Sequence, residues 1–324
     1  MVMPLNERAP GKVYQVYGLR LRSAWSLTCP PGNGDCLARV ELRESRSRLL
    51  QKTAWHLHTQ PIEPEDWFHR RLPDGSDYLR WGRLAEFHVS PAGSRITARP
   101  LNGRAQLPAR AFLLSQALSF ALLKQGFETL HATVIELAGE AIAFVGDCGH
   151  GKSTLAAAFL HAGARLLTDD LLVLEIHSGA QPLIRAHSGF PRIKLFPDSA
   201  KALTKGWGAG QPLMPGSDKL AFPLSERAHA SGTSPLKAIY VLATLVRGEP
   251  RRHVAIRRLS QQRACLTLIA NTFNPVITEP SRLARQFEWA AKLATAIPVK
   301  SLAYPRNLAQ VSKVVTAICE DLSR

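Results

Sequence analysis

The sequence is poor in cysteine, and its cysteines do not form the closely spaced pairs that zinc sites and thiol redox motifs use. The five residues, Cys29, Cys36, Cys148, Cys265 and Cys319, are far apart and odd in number. A framework of structural disulfides normally needs an even number of cysteines at regular spacing. A zinc site and a disulfide scaffold are therefore disfavoured. Approach of Cys29 and Cys36 across residues 30–35 is the alternative, and we expect the thiols to be free.

Long apolar runs are also missing. The best candidate for a membrane helix, residues 111–123, is interrupted by polar side chains and is shorter than the about 20 residues that a bilayer requires. Residues 1–12 carry Glu7 and Arg8 and lack the apolar core of a secretory signal. We therefore expect no membrane partner and a cytoplasmic protein.

Acidic residues are outnumbered, because 41 Lys and Arg against 25 Asp and Glu give a net charge of +16. Such a surplus attracts nucleotides, acidic peptides and nucleic acids. The densest basic clusters, residues 43–48 and 247–258, lack the interleaved aromatic side chains of a single-strand binder, and no nucleic-acid-binding motif is present. We favour an ordinary solvated basic surface and do not expect a nucleic acid partner.

A first region, residues 1–106, has the pattern of a small, mainly β domain. Residues 13–21 and 37–42 alternate apolar and polar side chains, which predicts strands. Residues 73–75, Pro-Asp-Gly, and residues 91–93, Pro-Ala-Gly, have the composition of tight turns.

The second region, residues 107–324, opens with a predicted apolar helix over residues 109–124 that stops at Gly126 and joins the two regions. An α/β pattern follows. Predicted strands are 132–137, 141–145, 165–168, 171–176, 183–186 and 237–246, and predicted helices are 152–161, 281–296 and 307–322. Residues 204–235 are rich in Gly, Pro and Ser, and a mobile functional loop and a plain surface loop are equally favoured there.

Between strand 141–145 and helix 152–161 lies a full match to the phosphate-binding pattern G-x-x-x-x-G-K-[ST]. Its residues are Gly146, Asp147, Cys148, Gly149, His150, Gly151, Lys152 and Ser153. Glycines let backbone N–H groups wrap an anion, and the helix N-terminus adds its dipole. Lys152 supplies a positive charge for the β- and γ-phosphates, and the Ser153 hydroxyl is a ligand for Mg²⁺. The pattern predicts ATP and Mg²⁺ as cofactors, with Thr154 included among the nucleotide contacts.

Asp169 and Asp170 follow the predicted strand 165–168. One helix and one turn separate that strand from the glycine-rich loop, which predicts a crossover that returns beside strand 141–145 and ends at the two acids. One carboxylate can then hold Mg²⁺ while the other accepts a proton from an attacking hydroxyl. A helix cap or a turn is the alternative. Hydrolysing ATPases often have Glu where Asp170 stands, so the shorter side chain favours an alcohol acceptor over water.

A larger constellation surrounds these motifs: Leu130-His131, then Gly146-Asp147-x-Gly149-x-Gly151-Lys152-Ser153, then Gly163-x-Arg165-Leu166-x-x-Asp169-Asp170. Over residues 128–177 it resembles the catalytic domain of HPr kinase/phosphorylase. The resemblance implies an α/β fold, a P-loop kinase domain of the HPr kinase/PEP carboxykinase-like type with a mixed sheet.

The resemblance also implies roles for individual residues. Asp170 corresponds to the catalytic base for a seryl hydroxyl, Asp169 to the preceding acid, Ser153 to a Mg²⁺ ligand, and His131 to the conserved histidine of that family. We assign Asp169 to the metal as well, and count Lys152 with the catalytic residues. The family enzyme is hexameric, so a homo-oligomer remains open.

The sequence departs from HPr kinase at two places. Thr154 stands where that family has Glu, and its E-[IV]-R-G-x-G segment has no counterpart. Residues 189–198 and 17–23 instead resemble stretches of the HPr-kinase-like proteins of lasso-peptide clusters. Arg192, Lys194 and Lys219 are second-tier candidates for phosphate or peptide contacts, although ordinary surface charge is slightly favoured for each one alone.

These observations predict an ATP-dependent serine kinase that phosphorylates a precursor peptide or small protein, with a lasso-type precursor modified near its C-terminus as the implied acceptor. Two alternatives stay open. The same loop serves a non-catalytic nucleotide-binding regulator or adaptor, and it also serves a small-molecule kinase.

Overall fold

The computed structural model describes residues 7–8, 11–32, 34–47, 49, 67–101, 106–177, 179, 182–212, 218–242, 253–305 and 307–324. The chain forms two compact units, one of Met1–Phe127 with Leu213–Ser217, and one of Glu128–Pro212 with Asp218–Arg324. Among the described residues, no helix combines the length and apolar character needed to cross a bilayer.

The first unit contains eight strands in one mixed sheet. They are β1 Glu7–Arg8, β2 Lys12–Val16, β3 Leu19–Ser23, β4 Ala38–Ser45, β5 Trp67–Arg71, β6 Asp77–Trp81, β7 Ala85–Val89 and β8 Arg95–Pro100. Their order is β2-β3-β4-β8-β7-β6-β5, with β1 beside β4. The turns predicted at residues 73–75 and 91–93 join β5 to β6 and β7 to β8.

The single strand predicted over residues 13–21 is wrong, because the chain reverses at Tyr17-Gly18 and β2 pairs antiparallel with β3. Both turn residues have positive φ, 54° and 72°. Two successive residues of this kind make the tight hairpin turn whose twist matches that of the strands. Apolar and polar residues continue to alternate across Tyr17 and Gly18, so the sequence pattern did not reveal that the chain reverses there.

The predicted apolar helix is α1 Gln106–Phe112, a π-helical turn Leu113–Ala117 and α2 Leu118–Lys124. It belongs to the first unit, so the division follows Phe127, whereas the sequence placed it between residues 106 and 107. Specific contacts attach it to the sheet. The Tyr17 hydroxyl donates to the Leu114 carbonyl at 3.0 Å, and Lys124 Nζ lies 2.9 Å from the buried Asp77 carboxylate.

The second unit contains ten strands and five α-helices within the described residues. The strands are β9 Thr129–Leu137, β10 Glu140–Val145, β11 Arg165–His177, β12 Leu183–His187, β13 Arg192–Leu195, β14 Gln211–Pro212, β15 Leu220–Pro223, β16 Thr233–Leu242, β17 Ala255–Arg258 and β18 Val299–Ala303. The helices are α3 Lys152–His161, α4 Pro197–Leu203, α5 Gln261–Ala270, α6 Pro280–Ala296 and α7 Val311–Leu322, with a 3-10 turn at Leu308–Gln310. These elements establish the mixed α/β class that the sequence predicted.

The larger sheet of this unit has the order β10-β9-β11-β12-β16-β18-β17, and β10 also pairs with β16. Strand β10 is buried on both faces. Ala141, Ala143 and Val145 pack in one core with residues of α5 and α6, while Ile142 and Phe144 pack in a second core with residues of α3 and α7. A strand covered on both sides fixes the position of whatever follows it.

Strand β11 differs from the prediction in two ways. It pairs antiparallel with β9 and not with β10, and it runs through the two acids to His177 without a break. The reason is that β9 already fills the place beside β10, as its antiparallel hairpin partner. The crossover through α3 therefore passes over β9 before it re-enters the sheet.

Several predicted segments extend beyond the described residues. The strand predicted over 237–246 is observed as β16 up to Leu242. Residues 243–252, which include part of the basic cluster 247–258, lie outside the description, as do Arg48, Ser178 and residues 213–217. Within the Gly-rich interval 204–235, β15 is an ordered strand paired with β13 and β14 in a small three-stranded sheet.

Candidate functional site

The glycine-rich segment connects the buried end of β10 to the first turn of α3, which spans Lys152–His161 as predicted. Gly146, Gly149 and Gly151 have φ values of 139°, 79° and 92°, which side chains with a Cβ rarely adopt. Space is short as well, because a Cβ on Gly151 would lie 2.9 Å from the Tyr304 hydroxyl. The turn therefore requires glycine at these places.

Lys152 is held inside this turn. Its Nζ donates to the carbonyl oxygens of Gly146 at 2.6 Å and Asp147 at 3.1 Å, and the residue is only 7% exposed. Burial lowers the pKa of its ammonium group. A buried cation whose partners are neutral carbonyls is poorly compensated, so an anion at the turn gains from contact with it.

The sheet register brings Asp169 and Asp170 close to the glycine-rich turn. Val145, the last residue of β10, lies opposite Ala132 of β9, and Ala132 lies opposite Asp170 of β11. Asp169 is likewise aligned with Thr133. The acids lie in the middle of β11, and a single strand, β9, separates them from the end of β10 where the glycine-rich turn begins.

Asp169 is the centre of a hydrogen-bond cluster. Its Oδ1 accepts from the hydroxyls of Thr133 at 2.7 Å and Ser153 at 3.0 Å, and its Oδ2 accepts from the backbone N–H of Lys194 at 2.9 Å. Three donors fix the carboxylate firmly. The first residue of the acid pair is thus bound directly to the serine of the glycine-rich turn.

The Ser153 and Asp169 pair fits the requirements of Mg²⁺. Both oxygens are hard ligands, and their 3.0 Å separation allows one ion to touch both. Magnesium is usually bound by one or two protein oxygens, with phosphate oxygens and water at its other positions. No further protein ligand is needed for this chemistry.

Asp170 has a different environment. Its backbone has φ 91°, a conformation that costs a residue other than glycine about 1–3 kcal/mol. Its carboxylate forms an ion pair with Lys194 Nζ, and the two side chains are 19% and 15% exposed. Strained backbone of this kind is concentrated at functional sites, and here it lies within a strand, β11, that continues on both sides of Asp170.

Two further lysines enter the site from the small sheet and the segment before it. Burial lowers the pKa of Lys194 to about 8, because desolvation outweighs the attraction of Asp169. Lys219 Nζ lies 3.6 Å from Cys148 Sγ and 4.9 Å from the centre of the Phe196 ring. Of the second-tier candidates, Lys194 and Lys219 therefore line the site.

Arg192, the third of these candidates, is not among the residues that line the cavity. Its guanidinium lies 5.8 Å from the centre of the Phe190 ring. In β13 it is two residues from Lys194, and the intervening Ile193 is buried in the core.

His131 lies in the cavity beside the lysines. Burial, together with the charges of Lys152 and Lys194, lowers the pKa of its imidazole to about 3. Its ring centre is 5.4 Å from that of Phe273. His131 is therefore neutral at pH 7 and can donate or accept a hydrogen bond, but it does not carry the charge of an imidazolium.

His150, within the glycine-rich turn, is not turned towards solvent. Its side chain is only 13% exposed and its Nδ1 is buried without a hydrogen-bond partner in the described structure. Its Nε2 is 3.7 Å from the carboxylate of Asp147, a side chain that is itself 77% exposed. The tight turn of the loop folds the imidazole inwards, close to Gly146.

One cavity collects most of these groups. It is lined by His131, Thr133, Cys148, Gly149, Gly151, Lys152, Ser153, Thr154, Asp169, Asp170, Lys194, Leu195, Phe196 and Lys219. Three lysines face two carboxylates there, which leaves a surplus of positive charge before any ligand binds. The cavity is thus suited to an anion that also brings a divalent cation.

Sequence reasoning missed Thr133, Phe196 and Ser199. Thr133 stands two residues after His131 on the same face of β9, so the alternation of that strand was a usable signal. Ser199 in α4 lies 2.9 Å from the Thr154 hydroxyl, a contact between segments far apart in sequence that no local pattern reveals.

Comparisons with known proteins give little guidance. No family model and no curated protein matches the sequence. Among solved structures, the Hpr(Ser) kinase/phosphatase from Coxiella burnetii is similar at 14% identity and a TM-score of 0.32, over 60% of this chain and 99% of that one. A likeness this distant supports no statement about family or activity.

Proposed function

We propose that the protein is an ATP- and Mg²⁺-dependent kinase that transfers the terminal phosphoryl group to a serine hydroxyl of a peptide or small protein. One observation carries the proposal: Asp169 is bonded to Ser153 of the glycine-rich turn, while the adjacent Asp170 lies in the same cavity and is not bonded to that serine. A metal-binding carboxylate and a second, separate carboxylate beside a phosphate site are what phosphoryl transfer to an alcohol requires.

The nucleotide phosphates would lie in the turn between β10 and α3. The backbone N–H groups of residues 146–151 and the N-terminus of α3 provide the cradle, and Lys152 provides the charge. Ser153 and Asp169 would hold Mg²⁺, which neutralises charge on the phosphates when it is bound.

Asp170 is the proposed general base. In the described structure the ion pair with Lys194 fixes the position of this carboxylate. The terminal phosphate is a stronger attraction for Lys194 than a single carboxylate, and transfer of the lysine to the phosphate would leave Asp170 available to accept the seryl proton. Lys194 and Lys219 would then stabilise the charge on the transferred group.

His131 would contribute as a neutral hydrogen-bonding group. With a pKa of about 3 it has no affinity for a further proton at pH 7, so it is a poor alternative to Asp170 as the base. A neutral imidazole beside the phosphates can still orient an acceptor hydroxyl or a phosphate oxygen.

The acceptor is proposed to be a peptide, with a lasso-type precursor phosphorylated near its C-terminus as the specific candidate. Its support is the resemblance of residues 189–198, whose strand β13 contributes Lys194 and Leu195 to the cavity wall. Phe196 is 41% exposed at this wall and offers an apolar contact for the peptide.

The test is mass spectrometry of short peptides that end in serine, after incubation with the protein, ATP and Mg²⁺. A mass gain of one phosphoryl group on the serine peptide, with none on a matched peptide ending in alanine, supports the proposal. ATP binding without any phosphorylated product would favour the regulator or adaptor, and phosphorylation of a sugar or nucleoside alone would favour the small-molecule kinase.

A further inference from the structure

The first unit carries a second strongly basic feature, on the outer face of its sheet. In strands β3 and β4, Leu19, Leu21, Val40 and Leu42 are buried in the core. Because side chains alternate along a strand, the residues between them project from the opposite face. Arginines occupy most of those intervening positions.

The register places these arginines side by side. Arg20 of β3 lies directly opposite Arg39 of β4, and Arg22 lies opposite Glu41. Glu41 in turn lies opposite Arg95 of β8. Like charges directly across a strand pair destabilise a sheet, so the pairing of Arg20 with Arg39 costs free energy unless an anion compensates it.

These side chains line one groove, which we call the arginine groove. Its lining consists of Val13, Arg20, Arg22, Arg39, Val40, Glu41, Ser94 and Arg95. Counting its open mouth, the groove encloses about 790 Å³. It belongs entirely to the first unit and shares no residue with the cavity around Lys152.

The positive charge of the groove is not neutralised within the described structure. The only acid in its lining, Glu41, is engaged by Arg43 at 2.8 Å. Arg22, Arg39 and Arg95 are exposed and form no ion pair with any described residue. Arg20 donates to the Gly34 carbonyl, and its Nε is buried without a described partner.

We infer that the arginine groove is a docking site for an acidic peptide segment. Guanidinium groups match carboxylates in a planar, two-bond geometry, and several in a row suit consecutive or alternating Asp and Glu side chains. Nucleic acid is less suitable, because the lining has no aromatic side chain for base stacking and Glu41 repels a continuous phosphate backbone.

The peptide would lie across the sheet face and not as an added strand. The outer edge of β2 is already covered, since Gln15 N–H donates to the Pro30 carbonyl and Gly32 N–H donates to the Val13 carbonyl, both at 3.0 Å. Side-chain carboxylates, and not backbone pairing, would therefore supply the affinity. The acidic peptide that binds here would belong to the phosphate acceptor, and this part of the inference rests on the proposed kinase function.

The experiment measures binding of a fluorescent peptide of alternating Glu and Ser by anisotropy, without nucleotide. We expect saturable binding that weakens with salt, and no binding of the matched Gln and Ser peptide. The triple variant Arg22→Glu, Arg39→Glu and Arg95→Glu should weaken binding at least about tenfold.

The control triple variant, Arg227→Glu, Arg263→Glu and Arg285→Glu, makes the same change of net charge at exposed positions of the second unit. It should retain wild-type affinity within about twofold. Equal losses in both variants would overturn the inference, because they would show attraction to net charge alone. Displacement of the peptide by single-stranded DNA at a lower concentration than by unlabelled peptide would also overturn it in favour of nucleic acid.

Two controls distinguish a loss of peptide binding from misfolding and from a change at the nucleotide site. If the Glu triple variant fails to unfold cooperatively, the corresponding Gln triple variant replaces it and should still weaken peptide binding by several-fold. ATP binding, measured on the same preparations, should be unchanged, since the groove lies in the other unit. Peptide binding to the groove does not depend on phosphoryl transfer, so an inactive kinase would not contradict it. Conversely, absence of peptide binding would not contradict the proposed phosphoryl transfer.

Discussion

Replacing Asp170 with asparagine tests the division of labour between the two adjacent carboxylates. Asparagine has almost the same shape, but its amide cannot accept the seryl proton. A general base contributes roughly 10²–10⁴-fold to such a transfer, or about 2.7–5.4 kcal/mol of barrier. We expect the transfer rate to fall by that factor.

The backbone makes asparagine the right replacement. Asp170 has φ 91°, and asparagine tolerates positive φ better than most residues, whereas alanine would add strain. The variant loses the ion pair with Lys194, whose side chain is 15% exposed, which we expect to cost about 1–2 kcal/mol of unfolding free energy. A fold that survives this loss leaves the rate interpretable.

Asp169→Asn is the matched comparison. Its carboxylate accepts from Thr133, Ser153 and the Lys194 backbone, and an amide NH₂ placed against that backbone N–H would lose one acceptor contact. We expect this variant to weaken Mg²⁺-dependent ATP binding, while Asp170→Asn leaves it unchanged.

The assays are calorimetric titration with ATP and Mg²⁺, and phosphopeptide formation followed by mass spectrometry. The reasoning fails if Asp170→Asn transfers phosphate at the normal rate. It also fails if both variants lose ATP affinity equally, because the two acids would then share one role.

Three further predictions concern other parts of the chain. Lys152→Ala should weaken ATP binding by at least about tenfold, since the lysine is the buried cation of the turn, and an unchanged affinity in the titration would contradict the proposed phosphate cradle. Glu128→Gln should lower the free energy of unfolding by about 3–5 kcal/mol, because it leaves the charge of Arg282 buried, while Glu140→Gln at an exposed pair should cost below about 1 kcal/mol; urea denaturation compares them. Burial lowers the pKa of His229, so protonation favours the unfolded chain, and stability should fall as the pH drops below about 6.5. His229→Gln should reduce the change of the urea denaturation midpoint between pH 7 and 5. An unaltered pH dependence of that midpoint would refute this prediction.

Local signals were reliable wherever one segment carried its own information. The helix 152–161 was predicted with its observed bounds, because an apolar, Ala-rich run follows a glycine-rich turn and ends at Gly163. The turns at residues 73–75 and 91–93 were predicted for the same kind of reason. By contrast, Tyr17 has no special turn propensity, so the hairpin between β2 and β3 was missed.

Contacts between distant segments were beyond the reach of the sequence. Thr133 and Asp169 are 36 residues apart, and Thr154 and Ser199 are 45 apart. Such pairs depend on which strands become neighbours, and β11 became the neighbour of β9 and not of β10. The sequence wrongly predicted β10 as the neighbour of the strand that carries the acids. The acids nevertheless lie near the glycine-rich turn, because the register across β9 aligns Asp170 with Val145.

The sequence by itself determined the chemistry available to this protein: a glycine-rich turn that ends in Lys152 and Ser153, two adjacent acids after a short apolar strand, and an excess of basic residues. Tertiary structure decided how these groups are shared out. It bonded Asp169 to Ser153, paired Asp170 with Lys194, left His131 neutral, and gathered several arginines, without ion-pair partners among the described residues, on one face of the first unit. The physical reason is that residue type sets what a side chain can do, whereas its charge, partners and role depend on the non-local packing that surrounds it.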